Sequence, residues 1–263
     1  MSLPDEAFWH ALADAADRET MARFRQSGNV ANKLEHGFDP VTEADREAER
    51  ALRQLIAARH PDHAILGEEH GSANADHPMR WVIDPIDGTR AFVSGLPVWM
   101  TLVGLEREGQ VVAGLASQPV TGERFIAPGD GTAHLVRHGE RVPLRTSAVG
   151  DPAEATVMTT DPYLLREDID RLDTFRREAR LVRYGTDAYA FCALAAGQVD
   201  VVFERGVQPY DVSALIALVE GAGGVFSTWA GERAEPGGNV VAAATPALHD
   251  WAVAILSRGR NGV

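Results

Sequence analysis

Apolar positions in the first part of the chain recur at helical spacing. Phe8, Ala11, Leu12, Ala15 and Ala16 alternate with polar residues, which predicts an amphipathic helix running until Gly28-Asn29 interrupts the pattern. A loop of mixed character continues to Pro40. Thr42, three residues ahead of Asp45, has the spacing of a capping box, and Ala48, Leu52, Leu55 and Ile56 make the stripe of a second helix that His60-Pro61 stops. Its outer positions, such as Glu43, Glu47 and Glu49, are expected on a solvated face. Beyond Pro61 the period shortens. Ile65-Leu66 and Trp81-Val82-Ile83 read as short strands that each run into carboxylates. From Val98 to Leu144, strands are punctuated by Glu108-Gly109, Gly122, Gly129-Asp130-Gly131 and His138-Gly139, which predicts an antiparallel meander packed on the two helices.

After about Thr146 the order changes. Strand candidates at Thr156–Met158, Leu181–Tyr184, Val199–Phe203 and Val240–Ala243 alternate with helix candidates at Asp168–Ala179, Ala188–Ala196, Val212–Glu220 and Pro246–Leu256. That alternation suits helices covering a mostly parallel or mixed sheet. The boundary is expected at Arg145–Asp151, between an N-terminal α+β half (1–146) and a C-terminal α/β half (147–263).

Composition narrows the function classes. Across 263 residues, 25 Lys+Arg face 38 Asp+Glu, a formal net charge of −13 without any Lys/Arg-rich run. Such a chain repels a phosphate backbone, which argues against nucleic-acid binding driven by counterion release. One cysteine leaves no internal disulfide and suits a reducing compartment. No run approaches the roughly 20 apolar residues that span a bilayer. The acidic opening, Met1 to Glu6, lacks the basic and apolar regions of a signal peptide, so a cytoplasmic protein without membrane partners is expected.

The chemistry concentrates in Trp81-Val82-Ile83-Asp84-Pro85-Ile86-Asp87-Gly88-Thr89. A buried strand delivering Asp84, a tight turn forced by Pro85 and a short helix opened by Gly88-Thr89 would bring Asp84 and Asp87 together. Two carboxylates at one strand end offer an oxygen-only seat for a hard cation such as Mg²⁺, and amides at a helix start suit a phosphate oxygen. A plain Asp-Gly turn with Asp84 as a cap explains the same residues. Gly67-Glu68-Glu69 adds a second carboxylate pair at a strand end, or a charged loop. Tyr210-Asp211 precedes a helix, where Asp211 is either a ligand or an N-cap, and Asp45 is already accounted for by its capping box.

Taken together, Pro40-Val41-Thr42-Glu43-Ala44-Asp45, Gly67-Glu68-Glu69, Asp84-Pro85-Ile86-Asp87-Gly88-Thr89 and Tyr210-Asp211, followed by Glu220-Gly221-Ala222-Gly223-Gly224-Val225, resemble the inositol monophosphatase-like family in order and spacing over nearly the whole chain. The resemblance implies an α/β fold, a layered α/β/α/β/α sandwich, and a Mg²⁺-dependent phosphomonoesterase with two or three ions per site, commonly a homodimer. It assigns Glu68, Asp84, Asp87, Asp211 and the Ile86 carbonyl as metal ligands. Asp45 and Thr89, with Glu68, would be catalytic, holding and activating the attacking water, and the Gly88 and Thr89 amides would cradle phosphate. Lys33 is either a phosphate contact or a solvated side chain.

The substrate, a small phosphate ester, is left open by the family. Thr89-Arg90-Ala91-Phe92 with Ser94-Gly95, Pro97 and Trp99 resembles the histidinol-phosphatase branch, where inositol enzymes carry Thr-Asn or Glu-Asn before that Phe. Gln118–Phe125 and Tyr210 point the same way. Asp187, in Gly185-Thr186-Asp187-Ala188, stands where the inositol enzymes have a small apolar residue. Its stretch aligns with a family segment that touches the substrate's alcohol portion, Glu204 corresponds to another substrate-contacting acid, and Arg90 is expected as a further substrate contact. Two carboxylates facing a leaving group favour a cationic alcohol such as L-histidinol over a neutral polyol; Asp187 capping its helix is the alternative. An inositol-1-phosphate or sugar-phosphate phosphatase, and a non-catalytic metal- or phosphate-binding regulator, remain as alternatives. Other chemistries lack their parts. Cys192 has no arginine following at the spacing a thiolate phosphatase needs and reads as a buried structural residue, and Asp168-Ile169-Asp170 as helix-start charge. His134 and His138 are expected in solvent, and Gly221–Gly224 as a helix stop rather than a dinucleotide loop.

Overall fold

The computed structural model describes residues 3–26, 30–32 and 40–257. In chain order these form α1 (Glu6–Arg23), β1 (Val30–Asn32), β2 (Pro40–Thr42), α2 (Glu43–Arg59), β3 (Ala64–Gly67), β4 (Gly71–Ala73), β5 (Met79–Asp87) and α3 (Thr89–Val93). Then come β6 (Met100–Arg107), β7 (Gln110–Gln118), β8 (Glu123–Ala127), β9 (His134–Arg137), β10 (Glu140–Pro143), β11 (Thr156–Thr159), α4 (Ile169–Glu178) and β12 (Leu181–Tyr184). The chain continues with α5 (Ala188–Ala195), β13 (Val201–Val207), α6 (Pro209–Gly221), β14 (Val225–Thr228), β15 (Gly238–Ala243) and α7 (Pro246–Leu256). Helix α1 stops at Arg23, earlier than the periodicity suggests, and the predicted stop at Gly28-Asn29 lies outside the described residues, as does Lys33.

Two sheets carry the fold. The first has eight strands in the order β10-β9-β8-β7-β6-β5-β3-β4, antiparallel except for the β3–β5 pair. The meander therefore continues into the strand that holds Asp84. The second has five strands in the order β12-β11-β13-β15-β14; the first three are parallel and the last two antiparallel to their neighbours. Strand β14 directly follows the glycine stop and has no separate sequence signal.

Alternation along the strands sets the layers. Trp81, Ile83, Val103 and Leu105 face α1 and α2, packing on Trp9, Leu12, Leu52 and Ile56. On the opposite face of the same sheet, Met100, Leu102 and Ala116 pack against Phe191 and Leu194 of α5 and Leu215 and Leu218 of α6. These helices also cover Val202, Val240 and Ala242 of the second sheet, whose other face, with Val201, Phe203 and Val241, buries Phe175 of α4 and Leu248 of α7. The result is the α/β/α/β/α sandwich.

Helix α6 lies unusually close to the first sheet. Gly104 pairs with Gly114 across β6 and β7, and a Cβ on Gly114 would stand 2.7 Å from the Ala214 carbonyl oxygen. The missing side chains let α6, which carries Asp211 at its start, settle onto the sheet that carries Asp84. Gly114→Ala forces helix and sheet apart. We expect it to lower the unfolding free energy by about 1–3 kcal/mol, seen in urea titration as a lower midpoint with unchanged slope.

Candidate active site

Strand β5 positions two acids by an irregularity rather than by the expected tight turn. In an unbroken strand, residues three apart point to opposite faces. Asp84 lies opposite Leu102 and Asp87 opposite Met100, so three steps on β5 match two on β6. The extra residue is a bulge at Pro85, which has no N–H for the ladder. Asp84 and Asp87 therefore emerge on the same face, towards α6. Strand β5 runs through to Asp87 instead of ending where it delivers Asp84. Inside the bulge, the Ile86 amide donates to Asp84 Oδ1 (3.0 Å) and Thr101 Oγ1 to the Pro85 carbonyl (2.8 Å).

The third acid arrives on α6. The helix begins at Pro209 with Gln208 as N-cap, so Asp211 is not the cap but its third residue, and Asp211 Oδ2 accepts the Gln208 amide at 2.7 Å. Carboxylate oxygens of Asp84, Asp87 and Asp211 lie within 4.8 Å of one another, and no other cluster of three or more acids, histidines or cysteines this tight occurs among the described residues. Glu68 joins from β3: Gly67 pairs with Ile83, and the Glu68 amide donates to the Ile83 carbonyl (3.1 Å), which sets Glu68 beside Asp84. Burial, reinforced by the charges of Glu68, Asp87 and Asp211, pushes Asp84 well above the usual carboxylate range. Asp87 is raised likewise by burial and by Asp187 and Asp211. An all-oxygen donor set that is buried at Asp84, half-buried at its other members and mutually repelling fits a hard divalent cation, which relieves both penalties at once.

Gly88 follows β5 at φ +82°, a conformation only glycine adopts without strain, and caps α3. Thr89 Oγ1 then donates to the Ile86 carbonyl (3.1 Å) and stands 3.5 Å from Asp45 Oδ1. Asp45 closes the capping box of α2 as expected: its Oδ2 accepts the Thr42 amide (2.8 Å) and hydroxyl (2.5 Å). Burial raises its pKa to about 6, the Thr42 hydrogen bonds opposing and Glu69 adding to the rise.

The same cleft, of about 340 Å³, is also lined by Asp187, Glu204 and Arg90, with Thr160, Leu164 and Arg205. The carboxyl end of β11 supplies Thr160, the segment after β12 supplies Asp187, and β13 supplies Glu204, the edge at which such sheets present ligand sites. Asp187 occupies the N-cap position of α5 but makes no capping bond; Asp87 Oδ2 accepts the Ala188 amide instead (2.6 Å). Gly185, Thr186 and Asp187 all have positive φ (87°, 80° and 43°), which strains the two non-glycine residues at the cleft. Burial raises Asp187, and Arg90 opposes the rise. Glu204 Oε1 accepts the Thr160 amide (2.6 Å) and hydroxyl (2.8 Å). Burial pushes Glu204 up to about 8 against those bonds, with help from Asp187 and Asp161.

Several residues depart from expectation. Glu49 is fully buried, not on a solvated face, while Glu43 is exposed. His134 is buried against Glu6 (3.2 Å), whereas His138 is exposed. Asp168 is buried and paired with Arg171 and with Arg205 (3.2 Å), the latter a cleft residue whose place beside Glu204 was its only sequence signal. Thr160 and Leu164 sit in a loop without a motif. Cys192, by contrast, is buried as expected, 3.6 Å from the Met100 sulfur. No helix among the described residues is long and apolar enough to cross a membrane.

The fold and this cleft define a phosphatase of the layered-sandwich class, and the chain belongs to the inositol monophosphatase family, whose model matches residues 5–260. It is 34% identical over 261 residues to a histidinol-phosphatase of Chlorobaculum parvum, covering 98% of each chain. It is 36% identical to a chloroplastic bifunctional phosphatase of Arabidopsis thaliana, over 95% of this chain and 74% of that protein. Among solved structures, an inositol monophosphatase from Zymomonas mobilis superposes with a TM-score of 0.84 at 33% identity, over 96% of this chain and 97% of that one. The chain is a phosphoric monoester hydrolase.

The titration of Glu204 has a definite sign. Its folded pKa of about 8 exceeds the ordinary 4.5, so the folded chain keeps a proton that the unfolded chain releases. The stability this group contributes is complete below the unfolded value and is lost as pH rises through the folded one. Asp45 acts in the same sense up to about 6. We expect the melting temperature of chelator-stripped protein to fall between about pH 5 and pH 8, and Glu204→Gln to flatten that slope. A slope unchanged in the variant contradicts the assignment.

Proposed function

We propose that this chain is a Mg²⁺-dependent phosphomonoesterase that hydrolyses L-histidinol phosphate to L-histidinol and phosphate. The observation that carries the reading is that one cleft is lined both by Glu68, Asp84, Asp87 and Asp211 and by two further acids, Asp187 and Glu204. Those first four side chains and the Ile86 carbonyl would hold the metal. A Mg²⁺ held there would supply neutralisation of phosphoryl oxygens, a lowered pKa for water and stabilisation of the leaving oxygen.

The chain's own groups do the rest. Asp45, raised to about 6 and 3.5 Å from the Thr89 hydroxyl, accepts a proton from the attacking water through that hydroxyl or directly, and Glu68 helps hold that water. The Gly88 and Thr89 amides at the start of α3 hold the phosphoryl group in line for attack. Asp187 accepts hydrogen bonds from a cationic leaving group, whose charge also favours release of the Glu204 proton to solvent so that Glu204 accepts as a carboxylate, and the unused capping function of Asp187 supports its role. Arg90 beside Asp187 holds its charge available by opposing the rise in pKa. The nearly full-length similarity to a histidinol-phosphatase supports the same substrate. Inositol-1-phosphate is the competing substrate, favoured by the likeness to the inositol monophosphatase from Zymomonas mobilis.

Phosphate release with Mg²⁺ on both esters separates the two. We expect higher kcat/KM on histidinol phosphate, and a loss of about 10–100-fold there in Asp187→Ala, the worth of one charge-assisted hydrogen bond, with inositol-1-phosphate little affected. Faster hydrolysis of inositol-1-phosphate by the wild type sinks the substrate assignment, and equal losses on both esters sink the role of Asp187. Asp87→Asn is expected to lower kcat on either ester by about 100-fold or more; full turnover in that variant contradicts the metal site.

A further inference from the structure

Glu49 is a buried carboxylate that the mechanism above does not use. It lies on α2 one turn after Asp45 and is fully shielded from solvent. A buried charge of this kind costs stability unless each oxygen is matched. Its partners are all in one place. Glu49 Oε2 accepts the Glu69 amide at 2.7 Å, and Oε1 accepts the His70 amide at 3.2 Å and Arg53 Nε at 2.7 Å. Arg53 also donates to the Gly71 carbonyl, and the His70 ring meets the Arg46 carbonyl at 3.1 Å. One face of α2, through residues 46, 49 and 53, thus grips the turn between β3 and β4.

The grip is tight enough to dictate sequence. A Cβ on Gly67 would stand 2.0 Å from Glu49 Oε1, so the chain passes flat against the carboxylate with no room for a side chain. Glu68 sits between the two anchors. Its own amide is held by the Ile83 carbonyl of β5, and the next two amides are held by Glu49. The backbone that aims the Glu68 side chain at Asp84 is therefore clamped on both sides, by a strand and by a helix.

We propose that Glu49 is a positioning residue for the acidic cluster, acting through the Gly67–His70 turn to hold Glu68 at the metal seat. The same helix presents Asp45 at its third position, so α2 sets the separation between the proton acceptor and Glu68. The role rests on the reading of Glu68 as a metal ligand. Groups that orient a ligand without touching the ion typically change metal affinity 10–100-fold when removed.

The test is calorimetric titration of MgCl₂ into the metal-stripped full-length protein, for wild type, Glu49→Ala, Glu49→Gln and Glu68→Gln, each checked for cooperative melting. Glu49→Gln keeps one acceptor oxygen and the side-chain shape, so it reports on the turn even where Glu49→Ala does not fold. We expect Mg²⁺ affinity to fall about 10–100-fold in Glu49→Ala and by a smaller factor in Glu49→Gln. In phosphatase assays the half-saturating Mg²⁺ rises in parallel, while substrate KM at saturating Mg²⁺ stays near wild type. A purely structural role lowers the melting temperature and leaves the Mg²⁺ affinity of the folded variants unchanged; that outcome, with Glu68→Gln weakened, overturns the positioning role alone. Unchanged affinity in Glu68→Gln overturns the ligand reading of Glu68 and the positioning role with it.

Discussion

Carboxylates whose oxygens crowd within 4.8 Å of one another in a buried cleft repel each other and have lost much of their hydration. Such an arrangement does not persist on its own; the surrounding structure has to hold it. Asp84 and Asp87 sit at the end of a strand inside an eight-stranded sheet, just past its last pair with β3 and still paired with β6. Asp211 opens a helix wedged between two sheets, with apolar contacts on both of its faces. The burial of three large apolar clusters offsets the electrostatic cost locally concentrated at the cleft. A divalent cation relieves that cost directly, which couples metal binding to the stability of the fold.

The acids meet the backbone's demands and the cleft's at once. A carboxylate has two oxygens, so one can accept an amide at a helix start while the other faces the site. Asp45 gives Oδ2 to Thr42 and turns Oδ1 to Thr89. Asp211 gives Oδ2 to Gln208, and Asp87 gives Oδ2 to Ala188 at the head of α5. Read from sequence, helix capping and site chemistry are rival explanations of Asp45 and Asp211. In the structure they are the same interaction seen from two sides, and the hydrogen bonds that satisfy a helix end also lock the carboxylate's rotamer. Asp187 is the contrast: Asp87 caps its helix, which leaves the Asp187 carboxylate to the cleft.

The same economy explains why the second sheet matters to a site whose acids come mostly from the first. The cleft opens where β3 and β5 of one sheet and β11 and β13 of the other end, and where α5 and α6 begin. Moving α6 away from the sheet by the thickness of one methyl group at Gly114 displaces Asp211 relative to Asp84. Packing far from the cleft thus controls distances inside it.

Much was legible in the chain itself, wherever the signal is local. The stripe and capping box of α2, the limits of α7, the turns of the meander and the alternation after Thr146 follow from periods of a few residues, which sequence displays directly. The acidic motifs and their order were equally plain, and with them the family. What sequence could not display is geometry that depends on a neighbour. The bulge that turns Asp84 and Asp87 to one face exists only against β6. Glu49 and His134 read as surface residues because their partners, the Glu69 and His70 amides and Glu6, are about 20 and 128 positions away. The strained backbone at Asp187, the N-cap at Gln208 and the entry of Thr160, Leu164 and Arg205 into the cleft were likewise decided by tertiary contact. Local periodicity determined the elements and the inventory of acids; long-range packing determined which acids converge, because convergence is a property of pairs that the chain order separates.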